Sequence, residues 1–120
     1  MTRILITGSN SGFGKLAALS LARQGHDVVA TMRNLAKGEE LRSTAEDEGL
    51  PIEIRPLDVC DPASVAAAIG DPNELDVVVN NAGFEVSGAV EMVDDDLLAR
   101  QFDTNVMGPM RLVRAVLPAW

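Results

Sequence analysis

Eight residues near the start of the chain, Thr7-Gly8-Ser9-Asn10-Ser11-Gly12-Phe13-Gly14, have the composition of an anion cradle. They follow a short apolar run that begins at Ile4 and lead into an amphipathic stretch, so the glycines fall on a strand-to-helix turn. At such a turn Gly8 permits the tight exit from the strand, Gly12 lets the backbone approach a pyrophosphate, and Gly14 lets the helix pack closely. The N–H groups from Ser11 to Gly14 have no helical partner one turn earlier, and with the helix dipole they favour a bound anion. An ordinary glycine-rich turn is the alternative. The strand before, the helix after and a second βα unit beyond weigh for phosphate.

The elements that must position this loop can be read from hydrophobic periodicity. Short β-branched runs alternate with longer amphipathic stretches, the pattern of βαβ units around a parallel sheet. Strands are expected at Arg3 to Thr7, Asp27 to Thr31, Ile52 to Arg55 and Asp76 to Asn80, the last with a Val77-Val78-Val79 run suited to burial on both faces. A helix is expected from Phe13 to Gln24, burying Leu16, Leu19 and Ala22 and closed by Gly25. Others are expected from Leu35 to Glu48 ahead of Gly49, and through Ile69 after an Asp61 cap with Pro62 at the first helical position. Asp94 to Leu117 reads as one long helix opened by three aspartates, which suit the positive end of the helix dipole. Pro109 inside it predicts a bend near Asn105 to Gly108.

Composition limits what such a domain can do. The chain has 120 residues, 47% of them hydrophobic, enough for one compact α/β domain. Its net charge of −8 argues against nucleic acid or an anionic membrane as partner, since both reward a concentrated basic patch. The first apolar run is too short for a signal or a membrane span, and a cytoplasmic location is expected by default. Cys60 and His26 are the sole residues of their kinds, which excludes an internal disulfide and offers too few soft ligands for zinc. No metal site is expected, and any chemistry is expected to come from an organic cofactor.

Four stretches in order resemble motifs of the short-chain dehydrogenase/reductase family, in its TGxxxGxG subgroup. Thr7 to Gly14 is similar to the glycine loop, and Asp58-Val59 after the third strand to the pair that contacts adenine. Asn80-Asn81-Ala82-Gly83 matches the NNAG that helps hold the sheet and borders the nicotinamide ribose. Asn105-Val106-Met107-Gly108 resembles the motif whose asparagine supports the catalytic proton relay. The resemblance covers essentially the whole chain. It implies a Rossmann-type doubly wound parallel sheet, incomplete at about four strands in the order 3-2-1-4. It also implies that the long helix helps form a homo-oligomer interface. Asp58 also suits a turn before Asp61, and Asn105 a helix kink without chemistry.

The type of nicotinamide dinucleotide follows from the end of the second strand. In NAD-preferring folds an acid about 20 residues past the glycine loop binds the ribose 2′-hydroxyl. Met32 stands there, followed by Arg33, whose guanidinium suits a 2′-phosphate. The run Ala30 to Asn34 is similar to that of family members that use NADP. A basic residue frequent in the family just before the second loop glycine is absent, because Ser11 stands there. NADP is the expected cofactor, with NAD possible, and a solvated Arg33 is the alternative.

Full members of the family use a tyrosine, a lysine four residues later and a serine to transfer hydride to or from an alcohol or ketone. This sequence has no tyrosine, and Lys15 and Lys37 lie near the first two helices. Without a general acid the step would lose roughly 100-fold to 10,000-fold, so no dehydrogenase activity is expected of residues 1–120 alone. The expected reading is the cofactor-binding front half of a reductase or dehydrogenase. A non-catalytic nucleotide-binding or interaction module is the alternative, and a subunit completed by another chain a third. The fourth strand is expected to be a sheet edge and the last helix to lack cover, which favours association. The loop from Phe84 to Val90 supplies only part of a substrate wall and assigns no specificity.

Overall fold

The computed structural model describes residues 2–120. Strands β1 (Arg3–Ile6), β2 (Asp27–Met32), β3 (Ile52–Pro56) and β4 (Val77–Val79) form one parallel sheet in the order β3-β2-β1-β4. This is the expected doubly wound arrangement. Period-two alternation assigns each strand residue to a face. Ile4, Ile6, Val28, Ala30 and Met32 pack with α1 (Gly12–Arg23) and α2 (Glu39–Glu48). Leu5 and Val29 point the other way, toward α3 (Pro62–Ile69) and α5 (Gly108–Val116). Both faces are therefore covered along β1 and β2, which read as near-continuous apolar runs, whereas the edge strand β3 alternates with charged Glu53 and Arg55.

Several boundaries differ from the sequence reading. Thr7 and Asn80 lie outside the strands, although the Thr7 N–H still donates to the Val79 carbonyl (3.1 Å). Val77 is 38% exposed rather than buried, because β4 has a neighbour on one side only. On α1 the buried residues are Gly14, Ala18, Leu19 and Ala22, while Leu16 is 63% exposed. The buried stripe runs i, i+4, i+5, i+8 from Gly14, the residue that touches the loop beneath. The expected helix from Leu35 begins as a 3-10 turn over Leu35–Gly38. Gly38 presses so close to β2 that a Cβ there would lie 2.5 Å from the Met32 sulfur. Asp61 caps α3 through the Ala63 N–H (3.0 Å), with Pro62 at its first position as expected.

The long final helix is three segments. Asp94 caps α4 (Asp95–Phe102) by accepting the Asp96 N–H at 2.7 Å. A π-helical turn follows over Asp103–Met107, and then α5. The Gly108 N–H reaches back five residues to the Asp103 carbonyl, and Pro109 has no N–H to continue the ladder. The bend expected near Asn105 to Gly108 thus takes the form of one inserted residue per turn. Gly108 lets the rod approach the loop after β3, because a Cβ there would sit 2.7 Å from Val59 Cγ2. Among the described residues no helix is long and apolar enough to cross a membrane.

Leu112, fully buried between α5 and the sheet, carries much of this packing. Leu112→Ala is expected to destabilise the fold by about 2 to 5 kcal/mol, whereas Leu16→Ala should stay within roughly 0.5 kcal/mol of wild type. Urea unfolding checks both values, and equal losses would refute the assignment of the α1 face.

Candidate functional site

All four strands end on the same side, and the loops that leave them enclose a cleft of 680 Å³. Gly8, Asn10 and Ser11 line it from the first loop, Arg33 from the second, Asp58 and Val59 from the third, and Asn81, Ala82 and Gly83 from the fourth. This is the crevice at the carboxyl ends of strands in which open α/β sheets hold ligands. The far wall comes from Arg100, Asp103 and Thr104.

The first and fourth loops are locked together. The Asn81 side-chain amide donates to the carbonyls of Thr7 and Gly8, each at 3.1 Å. The Thr7 hydroxyl accepts the backbone N–H groups of Asn81 (3.0 Å) and Ala82 (2.8 Å). Gly8 has φ +65°, and a Cβ on it would lie 2.9 Å from Ala82 Cα. One on Gly14 would lie 2.2 Å from the Gly8 carbonyl oxygen and 2.5 Å from Asn81 Nδ2. Two of the three loop glycines are therefore demanded by contact with neighbouring backbone. Gly12 differs: its φ is +56° and nothing lies within 4 Å of a Cβ placed there.

At the start of α1 the first backbone bond runs from Lys15 N–H to the Ser11 carbonyl (3.3 Å). The N–H groups of Gly12, Phe13 and Gly14 stand ahead of that bond. Ser11, the N-cap residue, makes no side-chain capping bond, and the first turn holds no acidic residue. Phe13 is 85% exposed. Ser9 is placed differently from its neighbours, being fully buried. Its hydroxyl donates to the Ile6 carbonyl and its N–H to the Thr31 carbonyl, both at 2.9 Å. Its side chain shapes the turn from inside.

Arg33 is exposed at the cleft rim and forms no ion pair among the described residues. Asp58 makes the contacts of a turn residue and also lines the cleft: its carboxylate accepts the Cys60 N–H (3.0 Å) and its carbonyl the Asp61 N–H (3.1 Å). Asn80 is exposed and lies off the cleft wall, so the two adjacent asparagines have different surroundings. Asn105 sits in the π turn behind the wall. Its amide accepts the Phe84 N–H (3.0 Å) and donates to the Phe84 carbonyl (2.7 Å). A Cβ on Gly83 would lie 3.0 Å from its oxygen. Asn105 thus clamps the loop after β4 as well as occupying the bend.

Three participants were not anticipated as site residues. The Thr7 hydroxyl is a hub, signalled only by a buried polar group before a loop glycine that needs partners. Cys60 lines the cleft with its sulfur 3.2 Å from the Thr104 hydroxyl, and burial pushes its thiol pKa up. Asp103 is held by Arg111, whose hydrogen bond keeps its carboxyl below the ordinary aspartate range. Lys15 pairs with Glu40 at 2.5 Å, and neither lysine reaches the cleft.

A family model described as short chain dehydrogenase matches residues 2–120. Retinol dehydrogenase 8 from Bos taurus is 43% identical over 97% of this chain, which spans 39% of that protein. Human 17-beta-hydroxysteroid dehydrogenase type 1 is 39% identical over 98% of the chain and 38% of its own length. The chain thus spans about two-fifths of the length of these curated relatives. Among solved structures, the NADPH-bound carbonyl reductase from chicken fatty liver superposes with a TM-score of 0.87 at 29% identity, covering 98% of this chain and 51% of that one. A short-chain dehydrogenase from Sphingobium yanoikuyae in complex with NADPH gives 0.87 at 32% identity, over 99% and 48%. With the four-strand order, the glycine loop and a family model matched along residues 2–120, the chain belongs to the short chain dehydrogenase family.

Proposed function

We propose that the chain is the cofactor-binding part of an NAD(P)-dependent oxidoreductase that interconverts alcohols and ketones, with NADP(H) preferred. The observation that carries this reading is the uncapped start of α1, whose Ser11 side chain makes no capping bond beside a cleft of 680 Å³. Open space at Gly12 leaves room for an anion against the backbone. The donor set fits a pyrophosphate, since helix N-termini bind anions through N–H groups and dipole together.

In this reading the backbone from Asn10 to Gly14 and the Ser11 hydroxyl hold the pyrophosphate, while Gly8 and Ser9 shape the turn. Arg33 pairs with a 2′-phosphate, and Asp58 and Val59 border the adenine. Asn81, Ala82 and Gly83 lie beside the nicotinamide ribose, while Asn80, off the cleft wall, takes no part in holding it. When bound, the nicotinamide supplies or accepts the hydride. Asn105 fixes the Phe84 backbone and supports the proton relay from behind the wall. The chain itself has no tyrosine to move a proton at the substrate oxygen. Named relatives that are dehydrogenases and solved neighbours in complex with NADPH favour this reading over a non-catalytic binding module. The exposed apolar residues Phe102, Val106 and Met110 along the last helix support a homo-oligomer.

Fluorescence titration with NADPH and NADH tests the proposal, together with carbonyl reduction by the intact protein. Saturable binding of NADPH supports it, and no binding of either nucleotide overturns it. Arg33→Ala is expected to weaken NADPH binding by about 1 to 3 kcal/mol while sparing NADH; equal losses for both would refute its pairing with the 2′-phosphate. Gly14→Ala must displace the Gly8 carbonyl, so a stability loss of about 1 to 3 kcal/mol is expected together with loss of nucleotide binding. Thermal melting and the same titration check it, and an unchanged melting temperature would contradict the close approach.

A further inference from the structure

Besides the bonds of Thr104 and Asn105, one side chain from outside the π turn holds it to the loop after β3. Arg111, on the first turn of α5 beyond Pro109, reaches back along the rod and across to the loop after β3. One guanidinium nitrogen donates to the Val59 carbonyl (3.0 Å) and to the Asp103 carbonyl (3.4 Å), and another to the Asp103 carboxylate (2.5 Å). Its side chain is 22% exposed. Arg114, one turn on, makes no ion pair among the described residues. Val59 belongs to the loop that lines the cleft after β3. Asp103 opens the turn that carries Thr104, bonded to Cys60, and Asn105, bonded to Phe84.

We propose that Arg111 is a positioning residue: it fastens the π turn to the loop after β3 and thereby sets the separation of the cleft walls and the placement of the Asn105 clamp. A planar fork is needed, because carbonyls on two segments and one carboxylate must be reached from one group. Lysine has the charge but concentrates its donors at one point. The contact with Val59 is reinforced by Gly108, whose bare Cα lets the same loop lie against the helix. The effect on ligand affinity rests on the nucleotide reading above, whereas the effect on the clamp does not.

The test uses the intact protein with Arg111→Lys, Asp103→Ala and Leu112→Ala, read by residue-resolved amide exchange and NADPH titration. Arg111→Lys is expected to speed exchange at the Phe84 amide beyond any change in global stability and to weaken NADPH binding roughly three- to tenfold. Asp103→Ala should act in the same direction and carries the test should Arg111→Lys fail to fold. Leu112→Ala lowers global stability from the same helix and is expected to leave the Phe84 amide no more exposed than that loss dictates, with affinity unchanged. Wild-type exchange at Phe84 in the Arg111 or Asp103 variant, or an equal local effect from Leu112→Ala, overturns the proposal. A wild-type protein that binds no NADPH overturns the nucleotide reading instead, and the exchange data still decide the role of Arg111.

Discussion

The close approach of the loop after β1 to the loop after β4 governs how everything else is arranged. Gly8 and Gly14 meet Ala82 and Asn81 with no room for a side chain between them, since a Cβ on Gly8 would lie 2.9 Å from Ala82 Cα and one on Gly14 2.5 Å from Asn81 Nδ2. Both loops leave neighbouring parallel strands, so their backbone polar groups would otherwise be buried without partners. The Thr7 hydroxyl and the Asn81 amide satisfy five of these groups, counting the weaker contact from Thr7 to Val79 (3.5 Å). That bonding fixes where α1 begins, and hence where its unpaired N–H groups stand.

A second constraint is the inserted residue between α4 and α5. A straight helix would not present Asp103, Thr104 and Asn105 toward the sheet in the same way, because each additional residue rotates the following side chains by about 100°. The π turn instead sends Thr104 to Cys60 and Asn105 to Phe84. The Asp103 carbonyl at the head of the turn accepts from both the Gly108 N–H and the Arg111 guanidinium. The two constraints act on opposite walls of one cleft, and they meet at the loop that follows β4. Asn81 holds its beginning from the β1 side, and Asn105 holds Phe84 from the helix side.

Much of this was legible in the residues because local chemistry decided it. Gly8, Gly12 and Gly14 marked the turn, Asp61-Pro62 and Asp94 marked helix starts, and the valine run marked β4. What was not legible depended on contacts distant in sequence. Leu16 looks like a core residue by spacing, but Gly14 turned the buried stripe away from it. Val77 looks buried until the strand order leaves β4 with one partner. Ser9 and Ser11 are equivalent on paper. The register of β1 against β2 puts Ser9 inside, bonded to the Thr31 and Ile6 carbonyls, and leaves Ser11 at the open helix end. Pro109 announced a bend without saying that one extra residue per turn would form it, nor that Arg111 would hold it.

The acidity of the chain and the anionic character of the expected ligand are compatible for a reason that also shapes selectivity. Long-range repulsion from a net charge of −8 is screened over about 8 to 10 Å at ordinary ionic strength. Backbone N–H groups at a helix start act at contact distance, where screening is ineffective. Asp103, the carboxylate on the far wall, is paired with Arg111, and Asp58 is engaged by the Cys60 N–H. Arg33 and Arg100, which line the same cleft, have no such partner among the described residues. The cleft is thus locally receptive to negative charge within a repulsive whole. In the proposed reading, recognition of an anion therefore rests on contact with the helix-start N–H groups and with Arg33 rather than on bulk electrostatics.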